Sequence, residues 1–476
     1  MIKFFNTLSH KIEPFHSIKK NEVKLYTCGP TVYDYAHIGN YRAYIFEDLL
    51  KRFLIFMGYK VTHVMNITDV DDKTIKGANK EGISLKEYTE KFINAFFRDL
   101  NILNISLADH YPRATENIPG MVHMVESLCK KGYAYEKDGS YYFNISKFKD
   151  YGKLSKVNLD GLKSGVRIDS DEYEKESVHD FALWKAAKKG EPAWDTDLGS
   201  GRPGWHIECS VMSSKYLGEN FDIHCGGVDN IFPHHENEIA QSEAHSGKKF
   251  VNYWLHCHHL IVNGDKMSKS KGNCFTINDL LQKKVDPLAL RLLLLSTHYR
   301  KTLNFTFKAL EQSQSALDRL KDFLYELNNR PLKPGENKSI QGLIARMHRK
   351  FIAGLSDNLN ISSALTAIFE LVKKINILLK KGALFKKDAE NITSSLRSLD
   401  KILAILPLQE KKELNEKIHR KIEERNKARQ EKDFKLADKI RDDLLKQGIL
   451  LEDTEKGVRW KLHNNLKSYK IKKDRI

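Results

Sequence analysis

The strongest constraint on the fold is an alternation of short strands and one helix near the start of the chain. Val23–Thr27 is rich in β-forming residues, Tyr41–Met57 has the apolar spacing of a helix stopped by Gly58, and Lys60–Ile67 is a second β-rich run. A strand, a helix and a strand in this order predict the opening of a parallel, doubly wound sheet. Such sheets bind ligands at the carboxyl ends of their strands, so the residues that follow each strand are candidate site residues.

A second segment, Phe221–Glu243, combines a strand, a glycine turn and a helix with potential metal ligands. His234 and Glu238 stand four residues apart, so on a helix they share one face. Cys28 and Cys209, from distant segments, could supply two thiolates to the same place. Two thiolates, one imidazole and one carboxylate suit a tetrahedral zinc ion. The histidine and the glutamate by themselves are more often a solvated surface pair than half of a metal site.

The loop before the first predicted helix contains His37-Ile38-Gly39-Asn40. The N-terminus of a helix offers unpaired N–H groups and the positive end of its dipole to phosphate. Glycine lets the backbone approach a ligand closely, and the imidazole can donate a hydrogen bond. For the tetrapeptide taken in isolation, a structural turn is the favoured interpretation.

Leu255–Val262 is predicted to be one buried strand that carries a run of histidines and a cysteine, namely His256, Cys257, His258 and His259. Alternate residues of a strand point to opposite faces, so this run cannot converge on one ion, and packing is the favoured interpretation. The strand leads through the turn Asn263–Asp265 into the lysine-containing segment Lys266–Asn273. Two lysines among small residues suit the charge of a polyphosphate, although a solvated cationic loop is the alternative.

Charge and apolar content narrow the class of protein. The 79 Lys and Arg residues exceed the 62 Asp and Glu residues, and the net charge of +17 favours a nucleic acid as partner over a membrane surface. The longest apolar run, Leu288–Ser296, is interrupted by Arg291, and the first residues lack the apolar region of a secretory signal. The 6 scattered cysteines indicate reduced cytosolic thiols rather than a disulfide framework. A Lys-rich composition that serves only solubility is the alternative.

From Pro287 onward the apolar spacing predicts a helical bundle, followed by a charged carboxyl-terminal region. Lys411–Gln447 is predicted to form a helix pair or one broken helix, and a β-hairpin pattern follows it. The hairpin ends in Arg459 and Trp460. A tryptophan beside an arginine fits base stacking in single-stranded nucleic acid, whereas a tryptophan that anchors the hairpin on the helices is the alternative.

Two of these motifs carry a resemblance to a known family. His37–Asn40 and Lys266–Ser270 resemble, in the expected order, the HIGH and KMSKS signature motifs of class I aminoacyl-tRNA synthetases. The segments that resemble cysteinyl-tRNA synthetases in particular are YTCGPTVYDYAHIGN, NITDVDDK, GRPGWHIECS, FDIHCGGVDNIFPHHENEIAQSEA and DPLALRLLLLSTHYRKTLNFT. The segments RNKARQEKDFKLADKIRD and GILLEDTEKGVRW resemble the anticodon-binding end of that family, so the resemblance covers nearly the whole chain.

The resemblance implies an ATP-dependent ligase that activates L-cysteine to cysteinyl-adenylate and transfers it to the 3′-terminal adenosine of tRNA(Cys). It implies one zinc ion, which binds the substrate thiolate and has the ligands Cys28, Cys209, His234 and Glu238. Selection at the metal would make a separate editing step unnecessary. The protein is expected to be a cytoplasmic monomer with no membrane partner.

The resemblance also assigns the remaining site residues. The implied cysteine-binding residues are Thr68, Trp205 and His224, and the implied tRNA-binding residues are Arg459 and Trp460. The implied catalytic residues are His37, Asn40, Lys266 and Lys269. The implied ATP-binding residues, which act with Mg²⁺, are Pro30, Thr31, His37, Gly39, Asn40, Gly227, Asp229, Lys266, Met267, Ser268, Lys269 and Ser270.

The implied fold class is α/β, with a Rossmann-like parallel-sheet catalytic domain, an inserted connective domain, a helical bundle and a small mixed α/β carboxyl-terminal domain. The predicted domains are residues 1–110 (first catalytic half), 111–204 (insertion), 205–260 (second catalytic half), 261–306 (stem-contact region with the lysine loop), 307–406 (bundle) and 407–476 (anticodon-binding domain).

Two positions depart from the family pattern. Asn40 stands where the class pattern has histidine, so it can donate a hydrogen bond but cannot carry a charge, and Lys266 and Lys269 would carry a larger part of the phosphate charge. Cys225 stands where the family usually has glycine, and we expect it to be a small packing residue rather than a further metal ligand.

Two other functions are compatible with part of the pattern. An ATP-dependent ligase that joins cysteine to an amino sugar would share the zinc and phosphate motifs but has no reason to carry an RNA-reading terminus. A non-catalytic, zinc-stabilised RNA-binding protein would need neither the lysine loop nor His37 at the start of a helix. Both are disfavoured by the combination of motifs.

Overall fold

The computed structural model describes residues 1–157, 180–268, 272–406, 412–446, 449–454 and 457–462. The chain divides into two compact units, residues 1–406 and residues 407–476, which are described separately. The strands of the first unit are β1 (Lys3–Asn6), β2 (Lys11–Pro14), β3 (Glu22–Thr27), β4 (Lys60–Met65), β5 (Ala134–Lys137), β6 (Ser140–Phe143), β7 (Phe181–Ala186), β8 (Trp194–Thr196), β9 (Gly199–Pro203), β10 (Phe221–Gly227), β11 (Val251–Cys257), β12 (Leu260–Val262), β13 (Asp265–Lys266) and β14 (Leu303–Phe305). Its helices are α1 (Ile38–Phe56), α2 (Asp72–Glu81), α3 (Leu85–Ile102), α4 (Ile118–Lys130), α5 (Trp205–Leu217), α6 (Glu236–Ser246), α7 (Ile277–Gln282), α8 (Pro287–Ser296), α9 (Phe307–Asn329), α10 (Lys338–Ser356), α11 (Ile361–Lys380) and α12 (Lys386–Leu403).

The central sheet has four strands in the order β11, β10, β3 and β4, and every pair is parallel. This arrangement confirms the predicted fold class. The crossover from β3 to β4 runs through α1, which contacts the sheet on one side and α8 and α12 on the other. Several of its apolar residues, among them Ile45, Leu50 and Phe53, are fully buried in the main core. The carboxyl ends of the parallel strands therefore meet at one edge, as a ligand site in this class of fold requires.

A buried ion pair fastens α1 to the helices that follow the sheet. Arg291 on α8 and Asp48 on α1 are both fully buried, with 2.5 Å between Arg291 Nη2 and Asp48 Oδ2. Arg291 also donates hydrogen bonds to the carbonyl oxygens of Leu403 (2.7 Å) and Leu103 (2.9 Å). The arginine that interrupts the apolar run of α8 therefore connects α1, α8 and the ends of α3 and α12.

The region between the halves of the sheet contains a separate antiparallel sheet, in the order β5, β6, β7, β9 and β8. Phe143, Phe181 and Trp184 are buried in its core, together with residues of α4 and α5. The strand predicted at Tyr141–Ile145 is present as β6 and begins one residue earlier. The predicted acidic segment 168–177 lies outside the described residues.

The prediction of one strand over Leu255–Val262 is wrong, because the chain forms two strands there. β11 ends at Cys257 and β12 begins at Leu260. Between them His258 N donates to Tyr299 O (2.8 Å), and Leu303 N donates to His259 O (3.1 Å). These bonds move the chain out of the central sheet and into a smaller sheet with the order β13, β12 and β14. The predicted bundle follows as α8 to α12.

The second unit contains α13 (Lys412–Gln430), α14 (Phe434–Lys446), β15 (Ile449–Thr454) and β16 (Gly457–Leu462). The two strands pair in an antiparallel hairpin, which confirms the hairpin pattern, and the charged region forms two helices rather than one. Ile418, Ile422, Leu444 and Leu451 form a small apolar core. Across the described parts of both units, no helix has the length and apolar content needed to cross a membrane.

Candidate metal centre and nucleotide site

The candidate site lies where β3, β4 and β10 end. Cys28 follows β3 directly, and the loop after it pairs with Thr68, which lies beyond β4. Thr68 N donates to Pro30 O (3.1 Å), and Val32 N donates to Thr68 O (3.1 Å). The predicted ATP-binding residues Pro30 and Thr31 and the predicted cysteine-binding residue Thr68 are thus neighbours at one sheet edge.

The four predicted metal ligands come together at this edge. One ligand atom each of Cys28, Cys209, His234 and Glu238 lies within 4.8 Å of the others. Cys209 is on α5, and His234 precedes α6, on which Glu238 lies. Cys28 is partly buried and the other three are buried. A hydrogen bond with Cys209, together with burial, raises the pKa of the Cys28 thiol, so a metal that binds these thiols as thiolates releases protons.

Two further histidines orient the imidazole and the carboxylate of this cluster through polar contacts. His206 Nδ1 and His234 Nδ1 are 2.9 Å apart, which directs the other ring nitrogen, Nε2, toward Glu238 Oε1 at 3.1 Å. His224 is fully buried and contacts Glu238 Oε2 through Nε2 at 2.9 Å. Among the described residues, the nearest polar neighbour of Glu238 Oε1 is His234 Nε2, and no hydrogen bond of good geometry reaches this oxygen, so the two side chains are placed to share one ion.

A second group of potential ligands overlaps the first. Cys28 and Glu238 also lie close to His224 and His235. In that group His224 Nε2 is already bonded to Glu238 Oε2, and His235 Nε2 contacts Cys28 Sγ at 3.2 Å. His235 Nδ1 in turn contacts His256 Nε2 at 2.8 Å. His224 and His235 therefore act in this structure as hydrogen-bond partners of the ligand residues.

The two other residues predicted to surround cysteine lie beside the cluster. Trp205 stacks on His234 with ring centroids 4.4 Å apart and remains 40% exposed. Thr68 Oγ1 donates to Glu208 Oε2 (2.9 Å), and Glu208 precedes the ligand Cys209. A direct contact of Thr68, Trp205 or His224 with cysteine stays a prediction.

Cys225 belongs to the core rather than to either ligand group. It is fully buried on β10 among Ile223, Leu255 and Cys257, and burial raises the pKa of its thiol well above the ordinary value. Of the described residues, the two groups of potential ligands include neither Cys225 nor any of the four residues from His256 to His259.

Cys225→Ala is therefore expected to retain one equivalent of zinc per chain. The substitution removes a buried sulfur and should cost about 1 kcal/mol of stability without touching the ligands. Metal content after gel filtration, measured by atomic emission beside the parent protein, checks this expectation. Loss of the zinc equivalent in a folded Cys225→Ala protein would contradict it.

His37 and Asn40 cap the first turn of α1 reciprocally. Asn40 N donates to His37 Nδ1 (3.3 Å), and His37 N donates to Asn40 Oδ1 (3.0 Å). Burial lowers the pKa of His37, so the imidazole is neutral at pH 7. Because Nδ1 accepts a hydrogen bond, the proton of the neutral ring is on Nε2, which can donate to an anion at the helix N-terminus. This cap also explains why α1 begins at Ile38, three residues earlier than predicted.

Asn40→His is expected to leave the rate of adenylate formation within about threefold of the parent rate. A histidine at this position can accept the same cap hydrogen bond through Nδ1, so the first turn of α1 stays in place. Cysteine-dependent ATP–pyrophosphate exchange measures the effect. A loss of more than about tenfold would show that the amide group of Asn40 has a role that imidazole cannot take over.

Apart from Gly39 in the first turn of α1, the remaining predicted ATP-binding residues that the structure describes lie at the end of β10 or just after it, and at the end of β13 or just after it. Asp229 is close enough for its charge to act on His37, and a Cβ at Gly227 would overlap the Asp229 carboxylate. Lys266 ends β13 and is exposed, and Met267 and Ser268 follow it partly buried. Lys269 and Ser270 lie outside the described residues. Arg459 and Trp460 are in β16, and their side chains also lie outside the described part of the chain.

Sequence reasoning missed the residues that orient the ligands. His206, Glu208 and His235 are each adjacent in sequence to a residue singled out above, but their partners come from other elements. His256, assigned to packing, contacts both His235 Nδ1 and Thr7 Oγ1, the latter through its Nδ1 at 2.7 Å. The pair of adjacent histidines at positions 234 and 235 was the signal that could have indicated a hydrogen-bonded cluster.

Three family models match successive parts of the chain. The model of the class I tRNA synthetase (C) catalytic domain matches residues 14–315, the DALR domain matches residues 350–408, and the cysteinyl-tRNA ligase anticodon-binding domain matches residues 411–460. Together these models cover both compact units.

Similar whole proteins agree with the domain models. The cysteine–tRNA ligase of Chlamydia muridarum is 49% identical over 96% of this chain and 98% of its own length, and that of Brachyspira hyodysenteriae is 49% identical over 97% and 99%. Among solved structures, the methionyl-tRNA synthetase of Mycobacterium tuberculosis in complex with methionyl-adenylate has a TM-score of 0.58 at 15% identity, over 81% of this chain and 90% of that chain. This last similarity concerns the fold alone. The chain belongs to the cysteine–tRNA ligase family of class I aminoacyl-tRNA synthetases.

Proposed function

We propose that the protein acts as a cysteine–tRNA ligase in which a zinc ion held by Cys28, Cys209, His234 and Glu238 selects the thiolate of L-cysteine. The convergence of two thiols, one imidazole and one carboxylate in a single cluster at the sheet edge supports this proposal most directly. The reaction consumes ATP, and the partners are L-cysteine and tRNA(Cys). We also propose that the enzyme works as a monomer in the cytoplasm.

The donor set fits zinc on chemical grounds. Ligand atoms within 4.8 Å of one another are compatible with Zn–S distances of about 2.3 Å and Zn–N or Zn–O distances of about 2.0–2.2 Å after small adjustments. Sulfur ligands favour zinc over magnesium or calcium. Among the described residues, the buried oxygen Glu238 Oε1 receives no hydrogen bond of good geometry and lies 3.1 Å from His234 Nε2, and a cation between these two atoms would offset the cost of burying the carboxylate.

Zinc in this position would supply a preference for a thiolate over an alcohol and would lower the pKa of the substrate thiol. The discrimination matters because a pocket that relies on shape separates serine from cysteine poorly. The residues of the chain would provide the remaining selectivity. Trp205 covers one side of His234, and Thr68, whose hydroxyl group donates to Glu208, would hold the amino acid.

Activation joins the cysteine carboxylate to the α-phosphate of ATP. One carboxylate oxygen forms a bond to phosphorus, the bond from that phosphorus to the bridging oxygen breaks, and pyrophosphate leaves with its electron pair. His37 donates from Nε2–H to a phosphate oxygen at the N-terminus of α1, and Asn40 contributes its side-chain NH₂ group because its oxygen is used in the cap. Lys266 and Lys269 balance the charge that develops on the leaving pyrophosphate, and Mg²⁺ accompanies the nucleotide.

Transfer then uses the tRNA. A hydroxyl group of the 3′-terminal adenosine attacks the cysteinyl carbonyl carbon, and AMP leaves. The second unit, which carries the anticodon-domain match, would hold the far end of the tRNA, with Arg459 and Trp460 of β16 as contacts. An arginine beside an aromatic ring suits unstacked bases.

Two assays on the purified protein test this function. Cysteine-dependent ATP–pyrophosphate exchange is expected without tRNA, and transfer of labelled cysteine is expected only with tRNA(Cys). If none of the amino acids tested supports ATP–pyrophosphate exchange, the result would favour a non-catalytic RNA-binding protein. Transfer of cysteine to an amino sugar, with none to tRNA, would favour the other ligase.

A further inference from the structure

We propose that Asn273 is a positioning residue for ATP chemistry, because its side chain clamps the backbone on both sides of Met267 and thereby sets the direction of Lys266. This inference rests on the proposed role of Lys266 at the triphosphate. Asn273 itself lies beyond the signature motif and is not among the residues that the resemblance assigns to ATP.

The clamp uses both polar groups of one amide. Ser268 N donates to Asn273 Oδ1 (2.8 Å), and Asn273 Nδ2 donates to Lys266 O (3.3 Å). A single side chain therefore holds the carbonyl of the residue before Met267 and the N–H of the residue after it. These two bonds hold the peptide groups on both sides of Met267, and the bond to Lys266 O, together with the pairing of Lys266 with Ile261, sets the direction in which the Cα–Cβ bond of Lys266 points.

The two ends of this segment are attached to different parts of the fold. On one side Lys266 pairs with Ile261 in the antiparallel hairpin of β12 and β13, which turns at Asn263 and Gly264 with positive φ at both residues. On the other side Phe275 O accepts from Ile38 N (2.9 Å) at the first residue of α1. Asn273 thus connects the hairpin to the segment that is bonded to the start of α1, the helix capped by His37.

A side-chain contact also fixes the position of this segment relative to α1. Met267 packs against Gly39, where an added Cβ would overlap Met267 Cε. The residue held between the two clamp bonds therefore contacts the first signature motif directly. With the backbone of Lys266 fixed relative to α1, the lysine ammonium and the N–H groups near His37 can approach one triphosphate together. A displacement of about 1 Å at such a position can cost roughly 100-fold in rate.

A double-mutant cycle tests the clamp. Asn273→Ala is expected to lower kcat of ATP–pyrophosphate exchange by about 10- to 100-fold while the KM for cysteine and the zinc content stay unchanged. In a Lys266→Ala background the same substitution should cost less than about twofold, because Asn273 acts through that lysine. Equal losses in both backgrounds, or no loss in the parent background, would overturn the proposal.

Asn304→Ala is the matched control. Asn304 Oδ1 accepts from Gly264 N (2.9 Å), so it also holds this hairpin through one amide, but at the turn away from Asn273. We expect Asn304→Ala to leave kcat within about twofold of the parent value. A loss as large as that of Asn273→Ala would show that Asn273 only stabilises the hairpin and does not position Lys266.

The proposed function and the clamp can fail separately. If the parent protein shows no cysteine-dependent exchange, the proposed function fails. If the parent protein exchanges normally and Asn273→Ala is fully active, only the clamp is refuted.

Discussion

Replacing Cys209 by serine is expected to abolish the preference of the enzyme for cysteine over serine and to lower its zinc content below one equivalent. A hydroxyl group does not ionise as a thiol does at neutral pH and is a poor zinc ligand, so the cluster keeps only one thiolate, that of Cys28. The value of kcat/KM for cysteine activation should fall by at least about 100-fold, since even loss of a residue that only orients a metal ligand costs about 10- to 100-fold.

The measurement is ATP–pyrophosphate exchange with cysteine and with serine, beside metal analysis of the same samples. Cys129→Ser is the matched control, because Cys129 is a partly buried thiol on α4 outside both ligand groups. It should keep its zinc and its selectivity. A Cys209→Ser protein that binds zinc fully and still rejects serine would show that selectivity arises elsewhere in the pocket.

Arg291→Met is expected to destabilise the first unit by about 3 kcal/mol, the low end of the cost of breaking a buried ion pair, because Arg52 and Ser106 still contact Asp48. Asp48 would remain fully buried after losing the guanidinium group 2.5 Å away, and the carbonyl oxygens of Leu103 and Leu403 would each lose a donor. Urea unfolding followed by tryptophan fluorescence measures the loss, because Trp184 and Trp254 are buried in that unit.

Arg52→Met is the control that compares the fully buried ion pair with a partly exposed one. Arg52 contacts the same carboxylate, Asp48, at 2.8 Å, but its side chain is 21% exposed, so its removal should cost only about 1 kcal/mol. The double variant Arg291→Met with Asp48→Leu should recover part of the loss of Arg291→Met, since the fully buried carboxylate is then removed as well and the charge left without its partner, Arg52, is partly exposed. Similar losses for the two arginine variants would contradict the assigned importance of burial.

Local patterns in the sequence predicted the elements that depend on local interactions. The parallel strands β3, β4 and β10 and the helices of the bundle follow apolar periodicity, and the His234–Glu238 pair follows from helical spacing. The break between β11 and β12 could not be predicted in this way, because it depends on hydrogen bonds to Tyr299 and Leu303, about forty residues later.

The contacts that orient the site residues could not be predicted from local sequence patterns either. His206 meets His234 across 28 positions, and Cys28 meets His235 across 207 positions, so neither pairing leaves a periodic signal. The ion pair of Asp48 and Arg291 spans 243 positions, and in the sequence Arg291 only interrupts an apolar run. The ligand types could be predicted from chemistry, whereas the partners that orient them depend on tertiary structure.

The most direct test of thiolate selection at the metal is the absorption spectrum of the cobalt-substituted protein during titration with L-cysteine and with L-serine. If the substrate thiolate binds the ion held by Cys28, Cys209, His234 and Glu238, cysteine should intensify the sulfur-to-cobalt absorption and serine should leave it unchanged. The same spectrum for both amino acids, in a protein that activates cysteine, would contradict selection by the metal.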